Sequence, residues 1–389
     1  SDCGLYYGSQ YVHKSEDCGH SWQIISPDLT TNDSIKQNQS KSGGLTLDIT
    51  GAENHTTILA IAPSPYDQNT IFASTDDGNL QVTRDGGKSW LNIKDRLPGL
   101  PEYCWIPQIQ FSRINASEIF VVVNNYRMND WSAYLYHSAD KGESWTRIVD
   151  DSDVDGFVCS VIQDPKEEKL IFLGTDVGLY FSINHGKSWI KWEENLPNVQ
   201  IRDMKIQEQH DDLVLGTFGR SIWILDDIKP LRALASQGMN VLEKDMHVFD
   251  CSPAYMTSSR SYDGIRFIAQ GEFVGDNKSS GAVFSIWNKP KKKNDGEKVS
   301  DEEEDENQVQ EKDQKEELKI IAINSEGDTV RTFKRKLKEG FNRLRWRPDM
   351  KGVNFPSKRE SKEKTEPGGM PIIPGDYKIL FEYGEQKDS

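Results

Sequence analysis

Long apolar runs are missing from this 389-residue chain, and no stretch approaches eighteen such residues, so nothing reads as a membrane-spanning helix. Positive charge is scarce too. Lys and Arg total 47 against 62 Asp and Glu, a formal charge of −15. A chain so acidic cannot rest its affinity on phosphate neutralisation, which excludes nucleic acid as a partner. Leu/Ala-rich helical segments are absent, whereas ten tryptophans and 30 glycines lean the chain toward β-structure. The five cysteines (Cys3, Cys18, Cys104, Cys159, Cys251) are odd in number and lack CxxC spacing. That argues against a disulfide framework or a structural zinc site. The seven histidines show no HExxH or paired spacing, and His20, His137 and His185 read as surface residues. No signal-peptide pattern is present, so the chain reads as a mature product or an excised piece. Sequons at Asn32, Asn38, Asn54, Asn115 and Asn277 lend slight support to secretion.

What the chain has is an eight-residue pattern written four times. It reads SEDCGHSW at Ser15 to Trp22, TRDGGKSW at Thr83 to Trp90, SADKGESW at Ser138 to Trp145 and SINHGKSW at Ser182 to Trp189. The tryptophans are spaced by 68, 55 and 44 residues, near the period of a four-stranded propeller blade with loops of varying length.

Short strands separated by Gly, Asp and Pro turns surround each repeat. The second unit shows every part: ILAIAPSP, TIFAST, the turn at Asp76 to Gly78, NLQVT, the repeated box, and WLNI. The third and fourth units follow the same order, the third with a long excursion from Asn124 to Ser132. A fifth unit, QIRDMKI to SIWILDD, keeps three strands and drops the box. The first offers only GLYYGSQYVHKS and WQIIS, so its two inner strands are expected to be missing, with further blades upstream on this chain or a partner. The expected fold is all-β: a partial propeller of about five blades over residues 1–228, a connector at 229–245, and an immunoglobulin- or fibronectin-like β-sandwich at 246–389. The sandwich runs include HVFD, GIRFIAQGEF, GAVFSIWN, LKIIAINSEG, NRLRWRP and DYKILFEYG, and in it Trp287 and Trp346 read as core. Its charged, nearly aromatic-free tract at 289–317 cannot bury enough apolar area to offset ordering entropy and reads as a disordered insert. Ser357 to Gly369 reads as a second mobile loop.

The chemistry of the box fits a turn. Asp17, Asp85, Asp140 and Asn184 suit Asx-type acceptance from backbone amides, and Gly19, Gly87, Gly142 and Gly186 suit positive φ. Trp22, Trp90, Trp145 and Trp189 suit the gap between blades. One role repeated round a ring cannot converge on one substrate, so the boxes read as structural.

These boxes resemble the Asp-box, or BNR, repeats of sialidases, xyloglucanases and sortilin-type receptors. TDDGNLQVTRDGGKSW, LGTDVGLYFSINHGKSW and DDLVLGTFGRSIWILDD further resemble large bacterial secreted proteins that carry a sortilin-like propeller and a glycosyl hydrolase label. GAVFSIWN, FNRLRWRP and PGDYKILFEYG resemble the sandwich that follows that propeller. The resemblance implies a secreted, periplasmic or cell-surface protein. Two departures stand out: Phe218 replaces the histidine usual in a Gly-Thr-His-Gly-Arg motif, and Asn184 replaces a box aspartate. The Phe-Arg-Ile-Pro signature and arginine triad of a sialidase are not found in the chain.

In a propeller, the turns between second and third strands and the connections between blades share the end away from the boxes, where binding sites gather. That end would collect Trp105, Tyr126, Arg127, Trp131, Arg202 and Arg220 as ligand-binding residues for a glycan or a peptide. Asp76, Asp77, Asp176 and Asp203 would be the acids of a glycoside hydrolase, or, for Asp76 and Asp176, turn residues capping their own backbone. No cofactor is called for by any motif. Asp151, Asp153 and Asp155 match half a calcium loop, but Ile162 stands where an EF-hand needs its bidentate Glu, which leaves only a looser calcium site.

Overall fold

The computed structural model describes residues 4–37, 55–256, 281–290, 317–353, 366–384 and 386–388. Nearly all of the charged tract 289–317, the GIRFIAQGEF run, most of the loop 357–369 and the sequons at Asn38, Asn54 and Asn277 lie outside them. Two compact units divide the chain, Ser1–Ser236 and Gln237–Ser389.

The first unit is a β-propeller of five small antiparallel sheets, each a meander. Blade 1 holds β1 (Leu5–Gly8), β2 (Val12–Ser15) and β3 (Gln23–Ile24). Blade 2 holds β4 (Ile58–Pro63), β5 (Ile71–Thr75), β6 (Leu80–Thr83) and β7 (Leu91–Asn92). Blade 3 holds β8 (Trp105–Phe111), β9 (Ile119–Asn125), β10 (Asp130–Ser138) and β11 (Thr146–Val149). Blade 4 holds β12 (Val158–Gln163), β13 (Ile171–Thr175), β14 (Leu179–Ser182) and β15 (Ile190–Lys191), and blade 5 holds β16 (Ile201–Gln207), β17 (Asp212–Thr217) and β18 (Ile222–Leu225). Blade 1 corrects the strand count expected from sequence. Gly8 pairs with Val12 and the Ser9 amide donates to Tyr11 O, so GLYYGSQYVHKS supplies two strands and blade 1 has three, one more than two missing inner strands would leave.

Blades hold together because their middle strands are apolar on both faces. All seven residues of β9 are buried. Ile119, Val121 and Val123 pack toward blade 2 with Phe72 and Leu80, while Phe120 and Val122 pack toward blade 4 with Ile171 and Leu173. Alternation thus feeds two cores from one strand, and each such side chain stabilises the unit by about 1.5–3 kcal/mol. Gln108 adds a polar clamp: its Oε1 accepts from the Val161 amide at 2.8 Å and its Nε2 donates to Val161 O at 3.0 Å, tying blade 3 to blade 4.

A register shift recurs at the start of the first strand in four blades. It falls between Ile58 and Ala60, Trp105 and Gln108, Val158 and Ser160, and Ile201 and Asp203. Each is a β-bulge, which inserts an unpaired residue and re-aims the side chains around it. Arg202 is the bulged residue of blade 5.

Helix α1 (Lys229–Gln237) follows blade 5. Its Arg232 donates from Nε to both oxygens of Asp164, at 2.9 and 2.8 Å, and also pairs with Asp211. Asp164 is fully buried and Asp211 nearly so.

The second unit contains β19 (Met246–Val248), β20 (Ala282–Asn288), β21 (Glu317–Ile323), β22 (Thr329–Lys336), β23 (Gly340–Trp346), β24 (Asp349–Lys351), β25 (Gly368–Pro371), β26 (Lys378–Tyr383) and β27 (Gln386–Asp388). Sheets β19-β20-β23 and β22-β21-β26-β27 form a β-sandwich over one core. Alternation is clean in β21, where Leu318, Ile320 and Ala322 point inward. Phe284 and Phe381 meet edge-on across the sheets at 5.2 Å, and Trp346 is buried beside Phe333.

Candidate functional site

The boxes form one end of blades 1 to 4. In box 3 the Ser144 amide and hydroxyl donate to Asp140 at 2.9 and 2.5 Å, and the Gly142 amide donates to Ser138 Oγ at 2.8 Å. Asp17 and Asp85 repeat these bonds with Ser21 and Ser89. Asn184 of box 4 keeps one bond and reverses the other, its Nδ2 donating to Ser188 Oγ at 2.7 Å. The tight loop needs left-handed backbone at Gly19, Gly87, Gly142 and Gly186, and also at the preceding residues Cys18, Gly86, Lys141 and His185. Trp22 and Trp145 donate to the glycine carbonyls of their own boxes, whereas Trp90 reaches Ile25 O of blade 1. Trp189 Nε1 is buried without a partner. Each box acid is thus saturated by its own loop.

One cysteine departs from the expected absence of disulfides: Cys18, inside box 1, is disulfide-bonded. Cys104 and Cys159 are free and buried, and burial pushes both thiols up to about 12, which leaves them unreactive.

The opposite end carries the turns between second and third strands. Asp76 is buried and accepts from the Thr57 amide at 2.8 Å. Asp77, also buried, accepts from the Thr31 amide at 2.7 Å and from the Thr31 and Thr75 hydroxyls. Asp203 is exposed and accepts from the Met204 amide. Asp176 differs from these three. It is half-buried, its Oδ1 is closed off from solvent without a partner, and burial raises its carboxyl above the usual range. Asp151, Asp153 and Asp155 turn to separate partners: the Ala133 amide, the Asp150 amide, and the Tyr180 hydroxyl with Lys191.

Blades 3 to 5 bring an aromatic and cationic platform to this end. The Arg127 guanidinium lies 3.2 Å over the Trp105 ring and 4.4 Å from the Tyr126 ring. Tyr126 stacks on Phe157 at 4.5 Å, and Trp131, 56% exposed, borders both. Bulged Arg202 lies over Phe218, itself 69% exposed, and Arg220 is exposed beside it in sequence. Burial chiefly lowers the Arg127 pKa, and the positive field of nearby Arg202 acts in the same direction against Tyr126 and Asp76. Between blades 1 and 3 the same end opens a cleft of ≈ 740 Å³ lined by Asp33, Asp77, Lys94, Glu102 and Tyr103 among others. Lys36 sits 3.1 Å over the Tyr103 ring there.

Two groups escaped sequence reasoning. His55, read only as part of a sequon, is buried with neither ring nitrogen hydrogen-bonded, its Nδ1 3.6 Å from Asp76 Oδ2. On the box side, His137 and His185 are not surface residues: their side chains are only 17% and 26% exposed, and they meet buried Glu118. Burial works against the Glu118 carboxylate, but contacts with His137, His185 and Gln163 outweigh it and hold the group well below its usual range. No spacing rule signals this trio, since two blades contribute to it; the one hint is a histidine adjoining box 3 and another within box 4.

No family model matches the chain, and no match is found among curated proteins. Solved structures similar to it include an ancestral GH74 enzyme, with TM-score 0.39 and 14% identity over 87% of this chain and 37% of that one. The GH74 xyloglucanase from Xanthomonas campestris gives TM-score 0.45 and 17% identity over 58% of this chain and 35% of that one. YCF48 from Cyanidioschyzon merolae gives 0.32 and 18%, over 43% and 55% respectively. The chain spans little more than a third of the length of the first two. Such a likeness carries nothing about activity, and the blades rest on the strand order and register above. No helix among the described residues is long and apolar enough to cross a membrane.

Proposed function

We propose that the propeller is a secreted binding module of the Asp-box, sortilin-like type, which takes an acidic glycan or peptide on the end opposite the boxes. The observation that carries this reading is a pair of guanidiniums on aromatic faces at this end, Arg127 over Trp105 and Tyr126 and Arg202 over Phe218. Among the described residues neither has a carboxylate partner, in a chain of formal charge −15. Guanidiniums on aromatic faces with no carboxylate partner suit carboxylate recognition, while Trp131 and Phe218 offer flat apolar surface to a sugar ring or an apolar side chain. The disulfide on Cys18 supports exposure to an oxidising compartment.

Asp176 supports a second reading, a glycoside hydrolase, because a carboxyl raised by burial is what a general acid needs. One experiment separates the two. The full chain is screened on acidic and neutral glycan arrays and acidic peptides, and on aryl glycosides for turnover, beside Arg127→Ala, Trp131→Ala and Asp176→Asn. Binding without turnover, weakened at least about tenfold by Arg127→Ala, is expected of the module. Turnover abolished by Asp176→Asn establishes the hydrolase, and binding untouched by both platform variants refutes the platform.

A further inference from the structure

Glu118, His137 and His185 meet on the box side, between blades 3 and 4. Glu118 lies just before β9, His137 is on β10, and His185 is the fourth residue of the blade 4 box. Glu118 Oε1 stands 2.9 Å from His185 Nε2 and 3.5 Å from His137 Nε2. Neither ring nitrogen makes an aligned hydrogen bond to it, and both are sealed from solvent with no other partner. The two ring nitrogens and this oxygen thus face one another at contact distance, as ligand atoms around a common point do. The second oxygen is held apart, because Gln163 Nε2 donates to Glu118 Oε2 at 3.1 Å and to Glu168 O at 3.0 Å. A carboxylate fixed through one oxygen, with the other turned to two imidazoles, is how a supporting residue orients a metal ligand.

The distances suit a small cation. Bonds of about 2.0–2.1 Å in a tetrahedral zinc site put donor atoms about 3.4 Å apart. The two separations above bracket that value, and all three donor atoms lie within 4.8 Å of one another. Two imidazole nitrogens and one carboxylate oxygen are zinc-class donors, whereas calcium and magnesium take oxygen.

We propose that Glu118, His137 and His185 hold a divalent transition-metal cation of the zinc class, which staples the box hairpin of blade 4 to blade 3. The competing account is a histidine–carboxylate cluster with no ion. The test uses the full chain after chelator treatment, titrated with zinc chloride by calorimetry and with cobalt(II) by visible absorption. One equivalent of zinc, a tetrahedral cobalt spectrum and no uptake of calcium or magnesium are expected. Glu118→Gln and His185→Ala should abolish uptake, and zinc should raise the unfolding temperature of the parent chain but not of these variants. Gln163→Ala keeps all three donors and should weaken zinc about 10–100-fold, which keeps the test valid where a ligand variant fails to fold. Absence of zinc uptake by the folded parent, or uptake unchanged in all three variants, overturns the site.

Discussion

Replacing Arg232 by Met should unfold the propeller earlier than any surface change in it. The side chain is 12% exposed and faces Asp164 at 0% and Asp211 at 7%. Removing one partner of a buried ion pair costs about 3–5 kcal/mol, most of it the penalty of stranding the other charge. Here the acids keep some support. Asp164 still accepts from the Lys166 and Glu167 amides at 2.8 Å, and Asp211 keeps Lys166 at 2.6 Å. The lower end, about 3 kcal/mol, is therefore expected. For a unit of 150–250 residues that is a fall of about 6–12 °C in unfolding temperature, read by calorimetry on the intact chain. Lys166→Ala, whose side chain is 47% exposed, should cost less than about 1 kcal/mol. Adding Asp164→Asn to Arg232→Met should recover part of the stability, because the more deeply buried of the two stranded charges is gone and Asp211 keeps Lys166. A loss below about 1 kcal/mol in Arg232→Met would refute the reasoning, and so would failure of the double variant to recover.

Asp176→Asn should stabilise the propeller at pH 7 by about 0.5–1 kcal/mol, because it removes a charge that burial disfavours. Its folded-state pKa is raised, so the penalty exists above the unfolded pKa and vanishes as pH falls below it; a gain that persists at low pH in denaturant titrations contradicts this account. The box acids run the other way. The Ser21 amide, then the Ser21 and Ser15 hydroxyls, hold Asp17 at about 2, and the Ser144 hydroxyl and amide hold Asp140 at about 2. Stability from these groups is present above the unfolded pKa of about 4 and lost as pH falls toward 2. Urea titrations over that window should show a shallower loss in Asp140→Asn than in the parent, since Asn184 shows that a box works with an amide.

Residues bonded to their own loop are the ones a sequence displays. The box at Ser138 to Trp145 is readable because Asp140 binds Ser144 and Ser138, all within one hairpin. The alternation of β21 is readable for the same reason, since one strand carries the pattern. The reversal between the first two strands of blade 1 is hard to read because Gly8 to Tyr11 turns tightly without a Pro, Asp or Asn to mark it. Glu118 with His137 and His185, and Arg232 with Asp164, come from different blades or from helix and blade. Only the ring brings them together, so no window of sequence contains both sides. Asp176 and Asp76 occupy matching turns with matching letters, yet one is saturated and the other is not, a difference set by neighbours from adjoining loops.

The recurring bulge separates what must stay constant from what can change. In blades 2, 4 and 5 the ladder on either side of it is the same, yet the inserted residue is Leu59, Cys159 and Arg202 in turn. A residue outside the ladder carries no strand pairing, so its identity differs while the pairs on either side stay in register. The ring thus behaves like a keyboard with one changeable key in each of these three blades, where the letter differs and the ladder does not.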